Sequence, residues 1–178
     1  MRKGLIQVYT GDGKGKTTAA FGLAIRAAGQ GLRVRIYQFL KGGSPISGEL
    51  IGLQKCSLSV YWKRYSDQIP PMFQGEEPDE TALKKSLKLA LEEVRTEMGL
   101  GELDLVVLDE INVALGQGWI PLEGVLSLLI ERPPGVEVVL TGRGAPQALL
   151  EQADLVTDMR AVKHPYDKGL AARRGIEF

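Results

Sequence analysis

The stretch LIQVYTGDGKGKTT, residues 5–18, restricts this chain more than any other. An apolar, β-branched run (Leu5, Ile6, Val8, Tyr9) enters a loop carrying Gly11, Gly13 and Gly15, which opens onto Lys16, Thr17, Thr18 and AAFGLAIRAAG. The spacing predicts a strand over 4–9, a glycine-rich loop, and a helix over 16–29 closed by Gly29 and Gly31. Glycines let backbone N–H groups turn inward without Cβ clashes, so such a loop forms a nest of donors at a helix N-terminus, where the dipole also favours anions. A polyphosphate is the natural guest. Lys16 adds a point charge between two phosphates, and the Thr17 hydroxyl holds a magnesium ion bridging them. The pattern G-x-x-x-x-G-K-[ST] is met except at its first position, where Thr10 stands instead of Gly. The plain alternative is a flexible basic loop, against which stand three glycines and two lysines leading straight into a helix.

Further along, RVRIYQFLKG (33–42) reads as a second strand ending in a loop with Lys41, Gly42 and Gly43. The loop GGSPISGELIGL then leads to a third strand, SLSVYW, at 57–62. Residues 63–78 hold three prolines, a glycine and mixed charge, and read as one long loop in which Met72 and Phe73 favour a functional role over simple packing. Asp79 to Met98 is an amphipathic helix whose Leu83, Leu87, Leu91 and Val94 recur at helical spacing.

The second informative stretch is DLVVLDE, 104–110, a buried-strand run ending in two carboxylates about ninety residues after the phosphate loop. That is the pattern of the strand beside such a loop, whose acid binds magnesium directly or through water. Asp109 and Glu110 are therefore metal candidates, Glu110 alternatively a general base, and the plain reading is two solvated acids. A helix over 121–131 with Pro121 in its first turn follows, then a strand at 136–140 and a tight turn carrying Arg143. Arg143 sits where loops at the carboxyl ends of parallel strands gather, so it pairs a phosphate or another ligand group, or is an ordinary surface arginine. A last strand around LVTDMRAV leads to KHPYDKGLAARRGIEF, where Lys163 precedes a loop histidine, His164. Together these elements predict an α/β P-loop NTPase-like (RecA-like) three-layer sandwich around a mostly parallel sheet of about six strands, in one domain spanning 1–178.

Composition removes several functions. Lys plus Arg and Asp plus Glu number 22 each, which lends no support to nucleic-acid binding. One cysteine, Cys56, and one histidine leave no disulfide and no ordinary zinc site. No secretory leader is read before the first strand and no stretch approaches a membrane span, so a cytoplasmic protein is expected. The platform itself does not choose among a kinase, an ATP-driven motor, a GTPase switch and a nucleotidyl or adenosyl transferase.

The blocks TGDGKGKTTAAFG, QFLKG, VVLDE, PLEGV, LTGRG and RAVKHPYDKG, ending in GIEF, together resemble the cob(I)alamin adenosyltransferases of the corrinoid type, the ATP:corrinoid adenosyltransferases. They run in the family's order from residue 10 onward, and Thr10 is what this family usually shows. The resemblance implies transfer of the 5′-deoxyadenosyl group of ATP to the Co(I) of a reduced corrinoid, with triphosphate leaving. It implies a triphosphate lying reversed in the loop, gripped by Thr10, Gly11, Asp12, Gly13, Lys14, Gly15, Lys16, Thr17 and Thr18. It makes Lys16, Thr17 and Glu110 the catalytic set, and Thr17, Asp109 and Glu110 the site of Mg2+ or Mn2+. Lys41, Met72, Phe73, Arg143, Lys163 and His164 are carried over as corrinoid-side or supporting residues. Better-known members carry a Phe-x-Trp pair in the loop before the long helix, where this chain has Met72 and Phe73. A homodimer and a reducing flavoprotein partner are also implied, with no nucleic acid and no membrane. A P-loop ATPase or small-molecule kinase is the main rival, and a corrinoid carrier without chemistry the second.

Overall fold

The computed structural model describes residues 3–40, 47–56, 58–65, 80–165 and 169–177. In chain order the elements are β1 (Ile6–Thr10), α1 (Lys16–Gly29), β2 (Val34–Gln38), α2 (Gly48–Lys55), β3 (Val60–Arg64) and α3 (Glu80–Gly99). They continue as β4 (Leu105–Asp109), α4 (Ile111–Gly116), α5 (Leu122–Glu131), β5 (Glu137–Thr141), α6 (Gln147–Gln152) and β6 (Leu155–Asp158). The six strands form one sheet ordered β3-β2-β4-β5-β1-β6, and every neighbouring pair is parallel.

A parallel strand needs cover on both faces, because its crossover helices lie there. The period of two along β4 shows how this is met. Leu105 and Val107 point into a cluster with Ala20, Phe21 and Ala24 of α1 and Leu50 and Leu53 of α2. Val106 and Leu108 point the other way, against Leu83, Leu87 and Val94 of α3 and Val125 and Leu128 of α5. The result is a three-layer α/β sandwich with all β4 residues buried. Helix α1 ends in a Schellman turn: Gly31 N–H donates to Ala28 O (2.9 Å), Leu32 N–H to Ala27 O (3.1 Å), and Gly31 adopts φ +80°.

Three differences from the expected elements stand out. Residues 48–55, read as loop, form α2, where burial of Leu50 and Leu53 outweighs the poor helix propensity of Gly48 and Gly52. β3 lies at Val60–Arg64 rather than 57–62, so Lys63 and Arg64 belong to an edge strand and not to the irregular loop. Its residues alternate between half-buried and exposed, and Lys63 pairs with Glu93 of α3 at 2.6 Å, a charge that also discourages edge-to-edge pairing. Two six-residue helices, α4 and α6, were not expected at all. As expected, the end of β4 lies beside the loop, Asp109 accepting from Thr17 of α1, although β5 pairs with both β1 and β4 and lies between them.

The two faces of α3 give a stability test. Leu87 is fully buried and Leu89 is 56% exposed. Leu87→Ala is expected to cost about 2–5 kcal/mol in urea unfolding, whereas Leu89→Ala should stay within about 0.5 kcal/mol of wild type.

Candidate active site

The loop between β1 and α1 is shaped by its glycines and by the exit of β6. Gly11 and Gly15 hold φ +91° and +120°, conformations that side-chain-bearing residues rarely adopt. A Cβ on Gly11 would lie 2.2 Å from Asp158 Oδ1, and one on Gly13 would lie 2.6 Å from Met159 O. The loop is thus pressed against residues 158–160, to which the Gly13 N–H donates at Met159 O (2.6 Å). No side chain caps the amino end of α1, so its first N–H groups and the positive end of its dipole are open to an anion. Thr10 closes β1, and its hydroxyl accepts from the Ala145 N–H at 3.3 Å.

Lys16 is buried, and its ammonium donates to the loop's own carbonyls, Gly11 O at 2.5 Å and Gly13 O at 2.7 Å. Burial pushes its pKa below the ordinary lysine value; Glu110 opposes this, Arg143 adds to it, and Asp12 and Asp158 oppose it. Arg143 lies in the turn after β5, exposed, with its Nε 3.9 Å from Asp12 Oδ1 across the loop.

Below the loop lies Asp109, fully buried at the end of β4. Its Oδ1 accepts from Thr17 Oγ1 (2.8 Å) and Thr141 Oγ1 (2.7 Å), and its Oδ2 from Gln38 Nε2 (2.9 Å). Hydrogen bonds to a charged acceptor contribute about 1.5–3 kcal/mol each, which is how a carboxylate survives at this depth. Thr141 Oγ1 also accepts the Glu110 N–H at 3.0 Å. Glu110, half-buried, is the non-glycine residue with positive φ (65°) among those described, and such a conformation costs about 1–3 kcal/mol. Strain of this kind persists where surrounding bonds over-determine it, as the Thr141 bond and the start of α4 do here.

Thr10 through Thr18, Asp109, Glu110 and Arg143 thus meet at the carboxyl end of the sheet. Lys163 is exposed and His164 half-buried in the irregular stretch after β6. Lys41, Met72 and Phe73 lie outside the described residues. Sequence reasoning missed Gln38, Thr141 and the wall made by 158–160. Gln38 and Thr141 are polar residues at the carboxyl ends of parallel strands, where ligands gather, but which strand ends adjoin is not written in the local sequence.

The chain is similar to known proteins along nearly all of its length. A family model described as ATP:corrinoid adenosyltransferase BtuR/CobO/CobP matches residues 2–178. The chain is 37% identical over 183 residues to the corrinoid adenosyltransferase of Escherichia coli K12, covering 99% of this chain and 86% of that protein. It is similarly 37% identical over 183 residues to corrinoid adenosyltransferase CobA of Salmonella typhimurium, with 99% and 86% covered. To the corrinoid adenosyltransferase of Pseudomonas aeruginosa it is 34% identical over 181 residues, with 99% and 84% covered.

Two measurements check the site's internal logic. Thr141→Val removes a donor to Asp109 and the acceptor of the Glu110 N–H; it should cost about 1–3 kcal/mol in urea unfolding and weaken ATP binding, with Thr141→Ser restoring most of both. For Lys16 the folded pKa is lowered, so between that value and about 10.4 the unfolded chain binds more protons than the folded one, and stability rises with pH across that window. Urea midpoints of wild type should therefore climb relative to Lys16→Met as pH rises through it, whatever constant offset the lost hydrogen bonds impose.

Proposed function

The chain belongs to the ATP:corrinoid adenosyltransferase family, and we propose that it performs that family's transfer with the loop and acids described above. The observation that carries the assignment of roles is the shared hydrogen-bond centre of Asp109, Thr17 and Thr141 directly under the glycine loop. ATP and a corrinoid are the substrates. The Co(I) lone pair attacks C5′ of ATP, a Co–C bond forms, the C5′–O bond breaks, and its electron pair leaves with triphosphate.

No proton has to be moved, since Co(I) is the nucleophile, which suits a chain with one histidine and one cysteine. The protein's work is to orient ATP and to stabilise the charge growing on the leaving group. Residues Gly11 to Thr18 are assigned the triphosphate, with Lys16 moving from the Gly11 and Gly13 carbonyls to phosphate oxygens. Each preorganised donor of this kind is typically worth about 3 kcal/mol in a water-excluded site.

Mg2+ or Mn2+ fits the donor set. Thr17 donates its hydroxyl hydrogen to Asp109, and a hydroxyl oriented as a donor can also offer an oxygen lone pair to a hard cation. Asp109 already accepts three hydrogen bonds, so its part is to orient Thr17, while Thr17 and Glu110 would hold the ion. When bound, such an ion neutralises charge on the departing triphosphate.

Arg143, Lys163, His164, Lys41, Met72 and Phe73 are assigned to the corrinoid side or its support. No helix among the described residues is long and apolar enough to cross a membrane. We further place the protein in the cytoplasm as a homodimer, one domain over 1–178, served by a reducing flavoprotein.

The test is product identity. With Mg-ATP and reduced cobalamin, triphosphate should form only when the corrinoid is present, while the Co(I) spectrum changes to that of an alkylcobalamin. Release of ADP and phosphate without corrinoid, or tight corrinoid binding with no spectral change, would overturn the reading.

A further inference from the structure

The turn at residues 173–177 reaches across the molecule to the phosphate loop. Lys14, between Gly13 and Gly15 of that loop, donates from Nζ to Ile176 O at 2.6 Å and to Glu177 Oε1 at 3.3 Å, bridging 162 and 163 residues of sequence. The turn presenting these acceptors is itself braced. Ile176 and Glu177 N–H groups donate to Arg173 O (3.1 and 2.9 Å). The Glu177 carboxylate folds back to accept from Arg173 N (2.8 Å), Nε (3.2 Å) and Nη2 (3.0 Å). It is therefore fixed in direction before Lys14 meets it.

We propose that Glu177 is a positioning residue of the triphosphate grip: with the Ile176 carbonyl it holds the Lys14 ammonium at the rim of the phosphate loop, ready for an incoming polyphosphate. The inference rests on the assignment of that loop to the triphosphate of ATP. Two features carry it beyond a surface ion pair. An ammonium has three N–H groups, and two are taken by the turn, so one is left for a phosphate oxygen. The cluster of Lys14, Arg173 and Glu177 holds two cations and one anion, so positioning Lys14 does not cancel its attraction for a polyanion. Arg173, its backbone N–H and Lys14 keep the Glu177 carboxyl down at about 2, so the brace persists throughout the neutral range.

A double-mutant cycle on the full chain tests this, read by calorimetry with MgATP and with inorganic tripolyphosphate, no corrinoid present. Glu177→Gln, which keeps an acceptor but removes the charge that strengthens the contact, should weaken both ligands about three- to tenfold. Lys14→Met should do the same, the double variant should be no weaker than Lys14→Met alone, and Glu177→Asp should recover part of the loss. In turnover, KM for ATP should rise by more than kcat falls. Multiplicative losses in the double variant would make Glu177 merely structural and overturn the proposal. So would wild-type affinity in Glu177→Gln, or tighter binding, which would mark the turn as a competitor for Lys14. Should Glu177→Gln not fold, the same cycle with Glu177→Asp decides, coupling to Lys14 being required. Wild type that binds both ligands yet fails to adenosylate would sink the functional reading while leaving this cycle intact.

Discussion

A carboxylate buried at the end of a central strand must be satisfied on every side, and Asp109 obliges four separate elements to meet in order to do so. Thr17 comes from the first turn of α1, Thr141 from the end of β5, Gln38 from the end of β2, and the acid itself from β4. Breaking such a set by removing one partner costs far more than any exposed pair contributes, because the remaining charge stays in a medium that cannot solvate it. The position of the phosphate loop relative to the sheet is therefore fixed from below, by Thr17 and Asp109. The glycine contacts with residues 158–160 only have to shape its upper face.

The place of β5 in the sheet follows from the same demand. If β4 were hydrogen-bonded directly to β1, no strand end would stand between the loop and the acid. With β5 inserted, Thr141 sits there, donating to Asp109 while accepting the N–H of Glu110. Asn112 reinforces the junction by donating from Nδ2 to Gly142 O and Tyr9 O, at 3.3 and 3.4 Å. Glu110 is thereby held in its left-handed conformation, facing the loop rather than continuing the strand. Backbone strain and sheet order are two aspects of one arrangement.

This explains what could be read from the chain beforehand. The β1–loop–α1 unit and the acid-terminated β4 carry dense local patterns, since glycine spacing, a helix start and a both-faces-buried strand each need only a few adjacent residues. The parallel sheet followed from those runs alternating with helices. By contrast, the meeting of Gln38 and Thr141 on Asp109 depends on strand order, a property of contacts between residues far apart in sequence, and no local pattern encodes it. The short helices escaped for a related reason. α2 buries only Leu50 and Leu53, and α6 only Leu149, too few positions to establish a period.

The cations at the mouth are held in a different manner from the acid beneath. Arg143 faces Asp12 at 3.9 Å and Arg160 faces Asp158 at 3.8 Å, all four side chains more than half exposed. Lys16 rests on carbonyls of its own loop, and Lys14 on the distant turn. The two exposed pairs, Arg143 with Asp12 and Arg160 with Asp158, are worth about 0–1 kcal/mol each, so under the proposed reading an arriving polyphosphate displaces them at small cost. The hydrogen bonds to Asp109, out of water, are an order of commitment stronger and need not change. Under the proposed transfer, a site that has to stabilise a departing polyanion is served by this division, in which the support is rigid and the two arginines at the mouth stand nearby, engaged only weakly. The burial of Lys16 fits the same logic, since the desolvation that disfavours its charge in the free protein is relieved once a phosphate supplies the missing counter-charge.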